Sequence, residues 1–444
     1  MTELQQLNQA YLEAAASDPA RLQREFDEIT EYMKASTAIH HGEYVRTCYQ
    51  PKLFTEKIFA QFEADIQTLY SILGKVMHAY YRDPAYRALF GFDTVTEELI
   101  LRANPDISLL PMARIDFFYN EETGAYKYCE FNTDGTSAMN EDRELNLAQR
   151  LSTVYRQFCD THATRTCELF ESWVKTLCAV YARARHTEQK PYVAIVDFMD
   201  CASVNEFEVF QGYFIRNDVP AEICDVRDLR YDADEKVLYG PGGHKIDAIY
   251  RRAVTSDILE RYNECGALLA AVREDAVLLV GDFHTQLVHN KTIFRVLHEP
   301  LTQQMLTAEE RAFVEAHVPL TKAFEESDVP RILANKDGWI LKPLDSYASR
   351  GVHAGVECTQ EEWEQIVQNI PRQGYLLQEF YFPYVTENYG IGLQGTFGKN
   401  RYYNLTGVYV YDGTAQGIYS RVSLSPIISS QYSEKTLPTL LVTE

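Results

Sequence analysis

Residues 129–142 read CEFNTDGTSAMNED, a strand-like run that stops in Glu-Phe-Asn and passes into a loop of Asp, Gly, Thr and Ser. Two chemistries fit such a stretch. A solvated hairpin end with charges paired across strands is common. Two carboxylates and an amide oxygen brought together are instead hard ligands for a cation such as magnesium, which completes its shell with water and phosphate. What decides between them is the company that the rest of the chain brings to Glu130 and Asn132.

Just upstream, ARIDFFYN (113–120) alternates as a strand does, and EETG joins it to AYKYCEFN (125–132), the pattern of a β-hairpin. Because side chains alternate along a strand, Arg114 and Asp116 share one face, and Glu130 and Asn132 share one face. A register that aligns those faces gathers a guanidinium, two carboxylates and an amide. Arg114 would then stand where a phosphoryl oxygen could be held. Spacing alone leaves this level with the solvated hairpin, since short motifs recur by chance.

Two lysines add weight. HNKTIFRVLHEP places Lys291 at the start of a helix, and GWILKPLDSYASRGV places Lys342 at the end of an apolar strand, ahead of a small-residue loop, 345–351. Such a lysine can meet a phosphate as a point charge, and such a loop can close over phosphates with its N–H groups. A lone lysine is more often solvated, and no Walker-type Gly-x-x-x-x-Gly-Lys motif is present. His284 and His289, without a third ligand, read as structural.

Composition excludes several classes. The chain has 444 residues, 46% hydrophobic and 24% charged, enough for two or three structural units. A net charge of −22 makes nucleic acid and anionic membranes poor partners and favours a cationic or amino-bearing small substrate. The polar, acidic start and the lack of a bilayer-length apolar run predict a soluble, cytoplasmic protein. Nine scattered cysteines with no Cys-x-x-Cys pair predict free thiols.

The pattern changes along the chain. Residues 1–105 read as a helical layer, opened by Asp18-Pro19 as cap and first-turn proline. Residues 106–190 carry the hairpin and further helices. Residues 191–290 alternate strand and helix, with YVAIVDF, AEICDV and KIDAIYRR as strands of a small Rossmann-like unit and DAVLLVGDF as another strand after them. Residues 291–444 hold two Thr-x-x-Glu capping boxes, at TAEERAFVEAHV and TQEEWEQIVQNI, and then become strand-rich, with Asp412-Gly413 as a hairpin turn.

Taken in order, RID (114–116), EFNTDGTS (130–137), NK (290–291), LKP (341–343), QEF (378–380) and GIYSR (417–421) resemble the ATP-grasp ligases with permuted element order, the family of glutathionylspermidine synthetase and eukaryotic-type glutathione synthetase. The resemblance implies an α/β (α+β) chain with an ATP-grasp fold, a Rossmann-like pre-ATP-grasp domain and the N-terminal helical layer. It implies two magnesium ions at Asp116, Glu130 and Asn132, with Arg114 steadying the transferring phosphoryl group. ATP would be bound by Lys291, Lys342, Gln378, Glu379, Arg421 and the loop residues Ser346, Arg350 and Gly351, and the acid substrate by Ser137. The implied reaction joins a carboxylate to an amine through an acylphosphate, the acid being a small peptide or amino acid and the acceptor an amine or polyamine. A non-catalytic ATP-binding scaffold and a phosphotransferase without amine capture remain the alternatives. A homodimer is compatible with the sequence.

Departures from the family fall around the substrate pockets. RRAVTSDILE (251–260) replaces a tryptophan-bearing segment, VGDFHTQLVHN (280–290) replaces a Glu-Pro-Trp-like stretch, and Gly135 stands where a serine is usual. No segment resembles the amidase domain of the bifunctional members, so product hydrolysis is not expected.

Overall fold

A computed structural model describes residues 1–40, 42–344, 351–428 and 433–443. Local signals set the helix ends. Asp18 accepts the Arg21 N–H at 3.0 Å and Pro19 opens the helix Pro19–Ala35. Thr307 and Thr359 each complete a capping box, at the helices Ala308–His317 and Gln360–Asn369. The long helix Glu56–Arg82 buries Phe62, Ile66, Leu69 and Leu73 on one stripe and packs on the strand Thr414–Ser423. The N-terminal region is not wholly helical, as its periodicity predicted. Lys52–Thr55 is a buried strand that pairs in parallel with Thr439–Val442, so the far end of the chain completes the first layer. Four residues are too short for alternation to identify a strand.

The central sheet is antiparallel. Its order runs Lys435–Leu437, Thr414–Ser423, Phe397–Tyr411, Met112–Tyr119, Tyr126–Asn132, and Val385–Ile391 also pairs with the long strand Phe397–Tyr411. Asp412 and Gly413, at φ 46° and 85°, make the tight turn between the two longest strands. The sequence hairpin is therefore built into one sheet with strands nearly three hundred residues later.

Two further sheets flank it. Leu278–Val280, Ala248–Arg251, Val193–Asp197 and Ala221–Asp225 lie side by side and parallel, the Rossmann-like unit, with the helix Val204–Arg216 burying Phe207, Phe210 and Phe214. Thr321–Ala323, Tyr375–Glu379, Trp339–Pro343 and His353–Ala354 form an antiparallel sheet over a small core of Trp363, Ile332 and Leu377. Among the described residues no helix is long and apolar enough to cross a membrane.

Candidate functional site

In the hairpin, Arg114 lies opposite Asn132 and Asp116 opposite Glu130, so the polar faces do align. A β-bulge makes this possible: Phe117 pairs with Tyr128 and Asp116 with Glu130, leaving Cys129 as the extra residue. The bulge switches parity, so that Tyr126, Tyr128 and Phe131 all pack inward while Glu130 faces the other way. It also frees the Cys129 carbonyl, which accepts a hydrogen bond from Lys342 Nζ at 3.3 Å. On the other side of the first strand, Gly407 is opposite Asp116. A Cβ there would stand 2.4 Å from Asp116 Oδ1 and 3.0 Å from Arg114 Cγ, so glycine is what leaves room for the pair.

Asp116 is wholly buried at the centre of a charge network. Arg114 donates to it through Nε at 2.9 Å and Nη2 at 3.1 Å, Asn132 Nδ2 donates at 3.1 Å, and Arg421 Nη2 at 2.5 Å. Arg421 also reaches Glu130 at 3.7 Å and Glu434 at 3.4 Å. Tyr419 carries both guanidiniums over its ring, at 4.9 Å and 5.6 Å. Burial pushes Asp116 above the ordinary carboxylate range despite Arg114 and Arg421. Glu130 goes the opposite way. Burial raises it, but Arg421, Lys291, Arg114 and Lys342 together draw it down to about 2, so it is anionic at any physiological pH.

A cleft opens between the central sheet and the four-stranded antiparallel one. Ile340, Val352, Phe380, Leu405 and Ile427 give it apolar walls, and Glu130, Lys291 and Lys342 give it a charged end. Lys291 is set there by the stacking of Phe131 on Phe294, ring centroids 4.7 Å apart, one helical turn beyond it. Gln378 and Glu379 border the same cleft, but the Gln378 side chain is buried and donates to Thr321 Oγ1 at 2.8 Å, fixing the wall. Gly351, at φ +71°, abuts Pro343 and the Tyr375 hydroxyl; its neighbour Val352 lines the cleft. Ser346 and Arg350 lie outside the described residues.

The loop after Asn132 is stapled to the parallel sheet. Arg251 pairs with Asp134 at 2.5 Å, the Thr255 N–H donates to Asp134 Oδ2 at 2.7 Å, and Thr133 Oγ1 donates to the Thr285 carbonyl at 2.9 Å. At Gly135, φ +63°, a Cβ would meet the Arg252 carbonyl at 2.6 Å and Val254 at 2.7 Å. The RRAV segment thus occupies the space that a side chain at position 135 would need. Ser137 comes to the network through its carbonyl, which accepts from Arg114 at 3.3 Å and from the Tyr409 hydroxyl at 3.0 Å.

Several groups at this centre carried no signal of their own in the sequence. Arg252 pairs with Glu206 at 2.9 Å, both buried. Glu141 accepts from the Tyr419 hydroxyl at 2.5 Å and from Thr436 at 3.1 Å, and burial, with Glu434 and Glu206 nearby, raises it to about 7. Glu141 and Arg252 lay in stretches the sequence singled out, 129–142 and 251–260, while Glu206 did not.

The donor set suits a hard cation. Glu130 is anionic at the cleft, and Asn132, which gives its amide nitrogen to Asp116, keeps its amide oxygen out of that pair. Asp116 is already engaged by two arginines, so a cation would share it with them. Among the described residues no three His, Cys, Asp or Glu side chains form a metal cluster, and the His284 ring instead meets the Ser108 and Leu109 carbonyls at 3.0 Å each.

Solved structures share the fold. A glutathione synthetase-like effector from Globodera pallida, in its apo form, superposes with a TM-score of 0.65 at 12% identity, over 96% of this chain and 98% of that one. A putative gamma-glutamylcysteine synthetase from Methylobacillus flagellatus gives a TM-score of 0.43 at 9% identity, covering 88% of this chain and 89% of that one. The D-cycloserine synthetase DcsG gives 0.27 at 12%, covering 56% and 91%. No family model matches the sequence, and no curated protein matches it. The chain shares the mixed α/β fold of that glutathione synthetase-like effector.

Proposed function

We propose that the protein is an ATP-dependent carboxylate–amine ligase acting through an acylphosphate. The observation that carries this reading is the cleft whose apolar walls run into Lys291, Lys342 and Glu130, with Glu130 directly across the strand pair from Asp116 of the Asp116–Arg114–Arg421 network. Apolar walls suit a nucleobase, and the two lysines suit its phosphates. Magnesium, two ions in this reading, would be held by Glu130, Asn132 and Asp116 and would supply charge neutralisation on those phosphates.

Arg114 would steady the transferring phosphoryl group, Arg421 would stand near the ATP phosphates, and Ser137 would contact the acid. A carboxylate oxygen attacks the γ-phosphorus, ADP leaves, and the amine nitrogen then attacks the acyl carbon and expels phosphate. The Glu434 carboxylate beside Arg421 suits an amino-bearing acceptor. No covalent enzyme intermediate is required. The cleft thiol, Cys129, is pushed up by burial to about 11 and stays protonated. A small peptide or amino acid as acid and an amine or polyamine as acceptor are the substrates of this reading, with glutathionylspermidine synthesis one member of that class.

Hydroxylamine tests it. With ATP, magnesium and a pool of amino acids and small peptides, the protein should release ADP only when a suitable acid is present, and hydroxylamine should trap that acid as a hydroxamate. Glu130→Ala should abolish both signals. Phosphorylated product without hydroxamate would replace the ligase with a phosphotransferase, and no acid-dependent ADP release would leave an ATP-binding scaffold.

A further inference from the structure

One row of residues crosses the central sheet. Tyr419 lies opposite Gly407, Gly407 opposite Asp116, and Asp116 opposite Glu130, so four neighbouring strands each give one residue to the same line. Residues directly opposite on adjacent strands share a face. The Arg114 stem lies across the gap that Gly407 leaves, its Cγ and Cδ 3.0 Å and 3.1 Å from where a Cβ would stand. Its guanidinium ends over the Tyr419 ring, 4.9 Å from the centroid. Arg421, two residues further along Tyr419's own strand and on the same face, comes within 5.6 Å of that centroid.

The two guanidiniums need such a surface. Both converge on Asp116, Arg114 through Nε and Nη2 and Arg421 through Nη2, so one carboxylate answers two cations. Arg421 also reaches Glu130 and Glu434, but among the described residues Arg114 pairs with no carboxylate besides Asp116. The negative face of an aromatic ring supplies the attraction that the carboxylate must divide. The ring cannot turn away. Tyr419 is buried, its hydroxyl donates to Glu141 Oε2 at 2.5 Å and lies 3.2 Å from Thr436 Oγ1, and the Tyr409 ring packs beside it, centroids 6.0 Å apart. The Tyr409 hydroxyl in turn donates to the Ser137 carbonyl, the acceptor that Arg114 Nη1 also uses.

We propose that Tyr419 is a positioning residue of the phosphoryl-transfer centre: its ring holds the Arg114 and Arg421 guanidiniums side by side, and Glu141 and Thr436 hold the ring. This inference rests on the ligase reading. A phosphoryl group in transfer carries charge that cations already in place stabilise without first having to reorganise. The holding is done by the face of the ring, so the ring matters more than its hydroxyl.

The test compares Tyr419→Leu with Tyr419→Phe in the full chain. Three measurements are made: acid-dependent ADP release with hydroxylamine, calorimetry with a non-hydrolysable ATP analogue, and the rate at which phenylglyoxal modifies Arg421, read by peptide mass spectrometry. Losing the ring should lower kcat about 10- to 100-fold, as two cation–π contacts imply, while affinity for the analogue changes far less, and should speed modification of Arg421. Tyr419→Phe should recover kcat to within a few-fold and protect Arg421 as the wild type does. Wild-type kcat in Tyr419→Leu, a loss confined to ATP affinity, or a Tyr419→Phe variant as slow as Tyr419→Leu would overturn the assignment. Should Tyr419→Leu fail to fold, mono- and trifluorinated phenylalanines at position 419 keep the shape and weaken the negative face of the ring; kcat should fall stepwise with fluorination, and unchanged kcat overturns the role. A wild type without acid-dependent ADP release refutes the ligase reading instead. Arg421 modification then decides the positioning role by itself, equal rates in the wild type and in the ring-deleted or fluorinated variants overturning it.

Discussion

Asp116 and Glu130 face each other across one strand pair and yet titrate in opposite directions, because one is enclosed and the other looks onto four cations. Lys342 is one of those four, and its contact with the bulge carbonyl aims it into the cleft. Lys342→Ala should weaken ATP binding about 10- to 100-fold, the worth of a charge-assisted hydrogen bond, with acid and amine KM values little changed. Calorimetry with a non-hydrolysable ATP analogue reads this directly, and unchanged affinity would make ILKP a structural strand end. Glu141 makes a pH prediction. Its folded value, about 7, is above the ordinary carboxyl value, so the native state favours its protonated form. That stability is complete below about pH 4.3 and is lost as pH rises to about 7. Glu141→Gln should therefore match the wild type in unfolding free energy, measured by denaturant titration, at pH 4 and exceed it at pH 8 by on the order of 1 kcal/mol. A constant difference across that range would show that the carboxyl does not titrate there.

At the scale of elements, the bulge at Cys129 and the glycine at 407 do what no single charged residue does. The bulge sends Tyr128 inward and Glu130 into the cleft although they are two residues apart, and Gly407 clears the space in which Arg114 grips Asp116. Gly407→Ala should lower stability by about 1–3 kcal/mol, the usual cost of overpacking, and should reduce turnover by more than that loss explains, since Arg114 must move. Thermal unfolding together with kcat measured well below the melting point separates the two effects. Turnover unchanged in a folded variant would show that the Arg114–Asp116 geometry is dispensable. The hairpin, the capping boxes and the Asp412-Gly413 turn were legible in the sequence because each depends on neighbours within a few residues. The strand Lys52–Thr55 was not, because four residues carry no period and its partner lies at the other end of the chain.

For the whole molecule, the cleft exists because two sheets face each other, and the outer layer is closed by the strand Thr439–Val442 wedged between Lys52–Thr55 and Thr164–Arg165. Leu441, wholly buried, anchors that strand. Leu441→Ala should cost about 2–5 kcal/mol, as truncation of a buried leucine does, and should speed hydrogen exchange in Lys52–Thr55 while leaving the parallel sheet protected. Uniform loss of protection would mean that the layers unfold as one unit.

What the residues determined by themselves was the inventory and its order: a polar hairpin, lysines at a helix start and a strand end, a parallel α/β unit, and a late arginine. These follow from periods, caps and turns, which act over short distances. What only the tertiary structure decided was which of them meet. Arg421 reaches Asp116 across 305 residues, Asp134 reaches Arg251, and Gly135 is required because the Arg252 carbonyl fills the space beside it. Such contacts are set by the packing of whole layers against one another, where burial makes one arrangement of charges far cheaper than its alternatives, and no local pattern records them.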